Sequence, residues 1–137
     1  MIAFLSSSDV NGEDLGDVCE PSLSADENNP GFCGASEQGI TNQISFLGNQ
    51  IDSVILVYQM HTGYEYNFEP SDFRSFNHDY NPFDNQLSAR SIELSHHAVD
   101  EGADIVIQHH PHVIQGLELY NNKLIAHSLG NFIFDQN

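Results

Sequence analysis

The sequence predicts one α/β domain, or an α+β sandwich of mixed sheets, over residues 1–137. Three consecutive patterns support this class: a β-branched and aliphatic run at 53–57, helical periodicity at 87–100, and a second apolar run at 103–107. Short continuous apolar runs are typical of strands covered on both faces. Because a strand, a helix and a strand follow one another at this spacing, we expect a βαβ unit with parallel strands.

The N-terminal part of the chain combines a short strand with a long polar stretch. Residues 2–5 have the pattern of a buried strand, and residues 6–38 are rich in Ser, Asp, Asn, Gly and Pro, which is typical of loops. A loop-rich insertion is therefore expected within residues 6–50, with a short helix at 43–50 before the next strand.

Two cysteines in this polar stretch, Cys19 and Cys33, leave two interpretations open. A disulfide between them would close a loop of about fifteen residues and stabilise the fold by ~3 kcal/mol in the chain-entropy model. The alternative is a pair of unpaired thiols in a loop. Two cysteines by themselves do not establish an oxidising compartment.

The helical pattern that precedes the second apolar run has one face of small and apolar side chains. Gly102 follows it where a left-handed C-terminal cap is expected. Before this helix, the stretch 67–83 carries aromatic residues, and it either folds over a site as a lid or packs onto the domain surface. The face predicted to be buried consists of Leu87, Ser91, Leu94, Ser95, Ala98 and Val99.

The C-terminal part of the chain predicts a hairpin followed by a further apolar run. Residues 117–120 and 123–126 flank Asn121 and Asn122. Asparagine tolerates positive φ, so a two-residue hairpin turn is expected there.

The charge balance limits the classes of partner. The chain has 20 acidic residues against three Lys and Arg, giving a formal net charge of −17. Nucleic-acid binding depends on cations that displace phosphate counterions, so no nucleic-acid partner is expected. The excess of acid suits a solvated surface in a salty habitat, and an anionic ligand would need a bound metal to invert the local field.

Targeting segments are not evident in the sequence. No apolar run approaches the ~20 residues that a membrane-spanning helix needs. No basic segment follows Met1 ahead of the first apolar residues, so neither a signal peptide nor a membrane segment is expected in this chain.

The two predicted parallel strands lead into a group of histidines. These are His61 after the first strand, and His109, His110 and His112 after the second. Ligands gather at the carboxyl ends of parallel strands, so these imidazoles are expected to meet at one edge of the sheet. In an extended segment His110 and His112 project to the same side, and Pro111 between them lowers the entropy lost on placing both rings. Imidazole is the common neutral ligand of zinc, manganese or iron, so a metal site is predicted.

The remaining histidines are weaker candidates for metal ligands. His96 and His97 are expected on the flank and outer face of the helix, exposed to solvent. His127 either supports the site or packs in the interior, and His78 in the long loop has no assigned role.

Two stretches resemble a known family: MHTGYEY, and EGADIVIQHHPHVIQGLELYNNKLIAHSLGNFIFDQ. They are similar to the bacterial capsule-synthesis CapA family, or poly-γ-glutamate biosynthesis proteins, whose core belongs to the calcineurin-like metallophosphatase superfamily. The resemblance covers roughly residues 51–136, whereas residues 6–50 match no motif of the family. It implies a two-sheet α/β sandwich with a metal site at the strand ends.

The resemblance also implies ligands. His61 matches the histidine of the family's H-x-G motif, and His110 and His112 match the two histidines of the superfamily's G-H-x-H motif, with His109 as an alternative to His110. The matched motifs also contain residues without an assigned role, namely Glu65, Ser128 and Asn131.

Several departures from the superfamily pattern bear on the site. The early ligand motifs, a D-x-H, a G-D and a G-N-H/E, have no counterpart, since Gly16-Asp17 lies in the polar stretch and Gly48-Asn49 is followed by Gln50. The chain is therefore expected to be the C-terminal half of a metallophosphatase-like domain, with a dinuclear centre only in the full-length domain. Gln108 stands where the family usually has glycine, and Thr62 where tryptophan is common.

Three functions are compatible with these features. The first is a CapA-like protein of capsule or poly-γ-glutamate synthesis with a metallophosphatase-type metal site, with the capsule polymer or its synthesis machinery as partner. The second is a metal-dependent phosphoesterase-like hydrolase of unknown substrate. The third is an inactive fragment. The resemblance implies a location in the cell envelope, on the extracellular side of the membrane.

Overall fold

The computed structural model describes residues 1–8, 34–49, 54–63 and 84–132. Within these ranges five strands and two helices follow one another as β1 Ile2–Ser8, α1 Glu37–Gly48, β2 Ile55–His61, α2 Asp84–Glu101, β3 Ile105–His109, β4 Leu117–Tyr120 and β5 Lys123–Ala126. Some predictions fall on residues outside the described ranges: the pairing of Cys19 with Cys33, the aromatic stretch 67–83, Glu65, His78 and the last apolar run.

The five strands form one mixed sheet in the order β1-β2-β3-β5-β4. β1, β2, β3 and β5 run parallel, and β4 pairs antiparallel with β5. The predicted α/β class, the parallel βαβ unit and the hairpin are therefore confirmed. The hairpin turns at Asn121 and Asn122, whose φ angles of 49° and 62° suit a primed two-residue turn.

Helix α1 begins earlier than the sequence pattern predicted. The expected helix at 43–50 is in fact Glu37–Gly48. The Ser36 side chain accepts a hydrogen bond from the Gly39 amide at 3.1 Å, which caps the first turn. The prediction of loop for residues 6–38 is accordingly wrong at both ends, because β1 continues to Ser8 and α1 starts at Glu37.

Helix α2 ends at Glu101 and is capped by Gly102, as its sequence predicted. Gly102 has φ +123°, its amide donates to the Val99 carbonyl at 3.0 Å, and the Ala103 amide donates to the Ala98 carbonyl at 2.9 Å. This pair of bonds is a Schellman motif, which satisfies the last carbonyls of the helix. Neither helix has the length and apolar content needed to cross a membrane, and the described residues contain no other candidate.

Both helices pack on the same face of the sheet. Residues of both helices belong to one core cluster with residues of the sheet, as expected when two successive crossovers between neighbouring parallel strands have the same hand. The predicted inner face of α2 is confirmed at Ser91, Leu94, Ser95, Ala98 and Val99, all of which are buried. The core between sheet and helices contains Ile40, Ile44, Leu56, Tyr58, Met60, Leu94, Ala98, Val106 and Ile125.

The opposite face of the sheet is apolar and open within the described part of the chain. Phe4 is 65% exposed, Ile55 50% and Leu119 71%. The prediction that residues 2–5 form a buried strand is therefore wrong for this face, and so is two-sided cover at Ile55. An apolar sheet face is the side on which a second layer packs in a sandwich. Its exposure is thus compatible with the second sheet that the family resemblance implies.

Candidate functional site

The carboxyl ends of β2 and β3 bring two histidines side by side. His61 and His109 are the last residues of their strands and lie opposite each other in the parallel register. Their ring centroids are 5.1 Å apart. The Thr62 amide donates to the His109 carbonyl at 3.0 Å, which extends the pairing of the two chains past the strand ends. Strand register therefore determines this part of the site.

The turn after β3 brings two further histidines to the same edge. The His110 ring packs edge-on against His61 with centroids 4.7 Å apart, and His112 lies 6.1 Å from His110. The two rings were expected to project to the same side because the segment was predicted to be extended. The segment is instead a turn, in which His110 has φ 119° and His112 has φ 61°. Positive φ in a residue other than glycine costs on the order of 1–3 kcal/mol and is found preferentially at functional sites. Pro111 between them is fully buried and anchors the turn.

A cavity of about 450 Å³ opens between these rings and the turn that follows β5. It is lined by His61, His109, His110, His112, Ser128, Gly130, Asn131 and Phe132. All four histidines predicted as ligands therefore face one cavity, which we call the histidine pocket. Their role as metal ligands stays a prediction.

The turn after β5 orients one of the imidazoles. His112 Nδ1 lies 3.0 Å from Asn131 Oδ1. With the amide oxygen of Asn131 facing the ring, Nδ1 is the donor of this bond, and a neutral His112 in this arrangement has its lone pair on Nε2. A metal-binding histidine is usually held in one tautomer by a hydrogen bond of this kind, made by the ring nitrogen that does not bind the metal. Sequence reasoning left Asn131 without a role because its partner lies 19 residues away.

Desolvation favours the neutral form of another imidazole. Neighbouring protein atoms partly desolvate the ring at the end of β3, and this lowers the pKa of His109 below its ordinary value, although solvent still reaches the residue. His109 is therefore neutral at pH 7, and a neutral imidazole has the lone pair that a metal ion requires.

The donors in the pocket are of the right type for a transition metal, but they do not form a closed coordination shell. In the part of the chain that the structure describes, no three His, Cys, Asp or Glu side chains are gathered closely enough to hold a metal ion. The histidine pocket therefore contains imidazole donors of the kind that zinc, manganese or iron accept, without a complete ligand set.

Gly130 is the point at which the pocket wall turns, and it provides a stability test. Its φ is +66°, and a Cβ there would lie 3.1 Å from the Ile114 amide nitrogen and 3.2 Å from the Val113 carbonyl carbon. We expect Gly130→Ala to lower the free energy of unfolding by about 1–3 kcal/mol, because the backbone conformation and this contact both disfavour a side chain. Urea unfolding followed by circular dichroism measures the change.

The matched control for this substitution is Gly116→Ala. A Cβ at Gly116 meets nothing within 4 Å, so we expect a change within about 0.5 kcal/mol. Equal costs at the two glycines would show that the turn at Gly130 relaxes without strain.

Behind the pocket lies a buried polar cluster that the sequence did not reveal. Gln108 and His127 hydrogen bond to each other at 3.2 Å, and both are buried. His127 also contacts Glu118, which contacts His96. Gln108, which stands where the family usually has glycine, is thus the centre of a hydrogen-bond network. Of the two outcomes left open for His127, the structure shows burial in this network.

His96 and His97 are not simply exposed, contrary to the prediction. Both are partly buried. The His97 Nε2 lies 2.9 Å from the Thr41 hydroxyl, and the His96 Nε2 lies 2.7 Å from the Glu118 carboxylate. The reason is that neighbouring elements, α1 for His97 and β4 for His96, supply polar partners that the helical pattern alone does not indicate.

Comparisons with known proteins agree on one family. A family model described as Bacterial capsule synthesis protein PGA_cap matches residues 75–136. The chain is 35% identical over 135 residues to the PGA biosynthesis protein CapA of Bacillus subtilis (strain 168), which covers 98% of this chain and 28% of that protein. It is 50% identical over 54 residues to the Capsule biosynthesis protein CapA of Bacillus anthracis, covering 39% of this chain and 13% of that protein.

The similarity is broader than the motifs indicated. An uncharacterized protein of Sinorhizobium fredii, y4sH, is 32% identical over 94 residues, which is 66% of this chain and 20% of that protein. Because the match to the Bacillus subtilis protein includes 135 residues, it extends into residues 6–50, for which no related motif was found. The chain spans 28% or less of the length of these curated relatives.

Proposed function

Since this chain belongs to the bacterial capsule synthesis family that includes the CapA proteins, we propose that it acts in capsule or poly-γ-glutamate synthesis and that its histidine pocket binds a divalent transition metal ion. The observation that carries the metal proposal is the convergence of four imidazoles on one cavity at the carboxyl edge of a parallel sheet. The names of the relatives, a PGA biosynthesis protein and a capsule biosynthesis protein, support the process.

His61, His110 and His112 would hold the metal ion, with His109 as the alternative to His110. Their separate origins support this assignment, because β2 supplies the first and the turn after β3 supplies the others. Asn131 would keep His112 in the tautomer with its lone pair on Nε2. Further ligands would come from residues outside the described ranges or from a longer form of the protein, where a second ion completes a dinuclear site. Zinc, manganese and iron all accept imidazole ligands.

The metal would also provide the positive charge that this part of the molecule lacks. Within the described ranges the side-chain cations are Arg90, which donates to the Ala35 carbonyl, and Lys123, which pairs with Asp104. Neither lines the histidine pocket. With a net charge of −17, the chain would approach an anionic polymer such as polyglutamate through a bound cation. The partner we propose is therefore the capsule polymer or its synthesis machinery, at the cell envelope.

The runner-up function is a metal-dependent phosphoesterase-like hydrolase. The cavity beside the imidazoles supports it, because the open space leaves room for a substrate group. A bound metal would supply Lewis acidity and an activated water in such a reaction. The pocket residues themselves would orient the ion and the substrate.

One combined experiment tests these alternatives. Metal content is measured by elemental analysis after exposure to Zn²⁺, Mn²⁺ and Fe²⁺, together with hydrolysis of a generic phosphodiester, on this chain and on a longer form that spans more of the relatives' length. We expect stoichiometric metal in the longer form, because it would complete the ligand set. Metal without hydrolysis supports a non-hydrolytic role in capsule synthesis, and metal with hydrolysis supports the phosphoesterase. Absence of metal from both forms would contradict the proposal and favour an inactive fragment.

A further inference from the structure

A chain of buried and partly buried hydrogen bonds lies on the helix-covered side of the sheet, behind the histidine pocket. It connects β3, β4, the residue after β5 and helix α2. Its members are Ser91, Ser95, His96, Gln108, Glu118 and His127. In each hydrogen bond, the chemistry of the two groups determines which one donates and which one accepts.

The orientation of the Gln108 amide is determined by its partners on α2. Its Nε2 donates to the Ser91 carbonyl at 2.6 Å and to the Ser95 hydroxyl. The Ser91 carbonyl only accepts, and the Ser95 hydroxyl already donates to that carbonyl at 2.9 Å. The reversed amide would place its oxygen against these acceptors. The Gln108 Oε1 atom therefore faces His127.

His127 meets a hydrogen-bond acceptor at each ring nitrogen. Its Nδ1 lies 3.2 Å from Gln108 Oε1, and its Nε2 lies 2.9 Å from Glu118 Oε2. A neutral imidazole has one N–H and one lone pair, so in that form one of these contacts would join two acceptors. The residue is 4% exposed, which leaves little access for water to replace the lost bond.

The proton shared by His127 and Glu118 belongs on the imidazole. Desolvation raises the pKa of Glu118, but the hydrogen bonds and charges of His127 and His96 outweigh it and lower the pKa below its ordinary value. Glu118 is therefore ionised at neutral pH. Its carboxylate accepts from both histidines, at 2.9 Å from His127 and 2.7 Å from His96.

We propose that His127 is a buried imidazolium ion that holds β4 against β3 and α2, so that the docking of the β4-β5 hairpin depends on a bound proton. In the described part of the chain, the charged and titratable groups that face the His127–Glu118 pair come from these elements. β4 supplies Glu118, α2 supplies His96, and β3 supplies the neutral Gln108. Beyond His96, the Tyr120 ring stacks on the His96 ring with centroids 3.9 Å apart. The Tyr120 hydroxyl donates to Asp100 Oδ2 at 3.1 Å.

The sign of the pH dependence follows from where the proton is held. The contact requires the second proton on the imidazole, and it is weakened when that proton is released. Stability from this contact is therefore lost as the pH rises. On the acid side, the depressed pKa of Glu118 means that its contribution is lost as the pH falls below 4.5.

Nitrogen-15 NMR of the imidazole rings tests the proton count on the unmodified chain. At pH 7 we expect the two ring nitrogens of His127 to show similar shifts, as in an imidazolium ion. Two widely separated shifts, as in a neutral tautomer, would overturn the proposal. This measurement needs no substitution, so it holds whatever the stability of the variants.

A variant and its control test the role of the carboxylate. Glu118→Gln is expected to convert His127 to the neutral ring at pH 7, because the amide lacks the charge that retains the proton. His97→Gln, a substitution on the same helix whose side chain contacts Thr41 instead, is expected to leave the His127 signals unchanged. An imidazolium signature that survives in Glu118→Gln would contradict the pairing.

Hydrogen exchange of the β4 amides tests the consequence for docking. After correction for intrinsic exchange, we expect protection of β4 to fall by about tenfold between pH 6 and pH 9, the scale of one charge-assisted hydrogen bond. The same change should be absent from Glu118→Gln. Protection of β4 that is independent of pH in the unmodified chain would show that the proton does not control the contact.

Discussion

Replacing His110 or His112 by asparagine is expected to lower the affinity of the histidine pocket for Zn²⁺ and Mn²⁺ by at least about 100-fold. Loss of a partner that only orients a ligand costs about 10–100-fold, and loss of the ligand itself should cost more. Asparagine is the suitable replacement because, apart from glycine, it is among the residues that adopt positive φ most readily, and φ at His112 is 61°, within the left-handed region, while φ at His110 is 119°. Isothermal titration calorimetry of the purified chain, or of a longer form if the chain alone binds weakly, measures the effect.

The matched control is His97→Asn, which makes the same change at a histidine on α2 remote from the pocket. Its ring contacts Thr41 and the Glu37 carbonyl, so metal affinity should not change. His61→Gln provides an independent variant on β2 and should behave like the two turn variants. Unchanged affinity in all three pocket variants would show that any bound metal lies elsewhere in the chain.

Leu94→Ala is expected to lower the free energy of unfolding by about 2–5 kcal/mol, the range for removing a buried leucine side chain. Leu94 is 2% exposed and lies on the inner face of α2, in the core between the helices and the sheet. Its loss leaves a cavity that neighbours can fill only in part. Urea denaturation with a linear extrapolation measures the difference.

The same chemical change at Leu119 separates burial from residue type. Leu119 is 71% exposed on the open face of the sheet, and in this chain Leu119→Ala should alter stability by no more than about 0.5 kcal/mol. If a second sheet covers this face in a longer form, the cost there should rise into the range of Leu94→Ala. Equal costs at the two positions in this chain would contradict the packing of α2 described above.

Sequence patterns predicted correctly those elements that are specified by a few adjacent residues. The hairpin at 117–126 was predicted correctly because alternation and two adjacent asparagines specify a turn within a few residues. Gly102 marked the end of α2 for the same reason. The start of α1 was missed because its first turn is polar and depends on a cap at Ser36, which resembles the loop composition before it.

The order of apolar runs along the chain was enough to predict that the proposed ligands share one edge of the sheet. Two apolar runs joined by a helix imply parallel strands, and parallel strands end at the same edge, so the meeting of His61 with His109 could be expected before any register was known. The sequence also determined the family, because the motifs around the histidines are short and continuous.

The detailed geometry of the site and its surroundings depends on tertiary packing. The positive φ angles at His110 and His112, the bond from His112 to Asn131, and the exposed sheet face all depend on packing between segments distant in sequence. The pair of Glu118 and His127 is the clearest case, since hairpin register pairs Glu118 with Ile125 and so places it diagonally across from His127, and Gln108 on β3 contacts the ring. Strand register and burial determine which groups come within hydrogen-bonding distance, and neither can be derived from the local periodicity of the sequence.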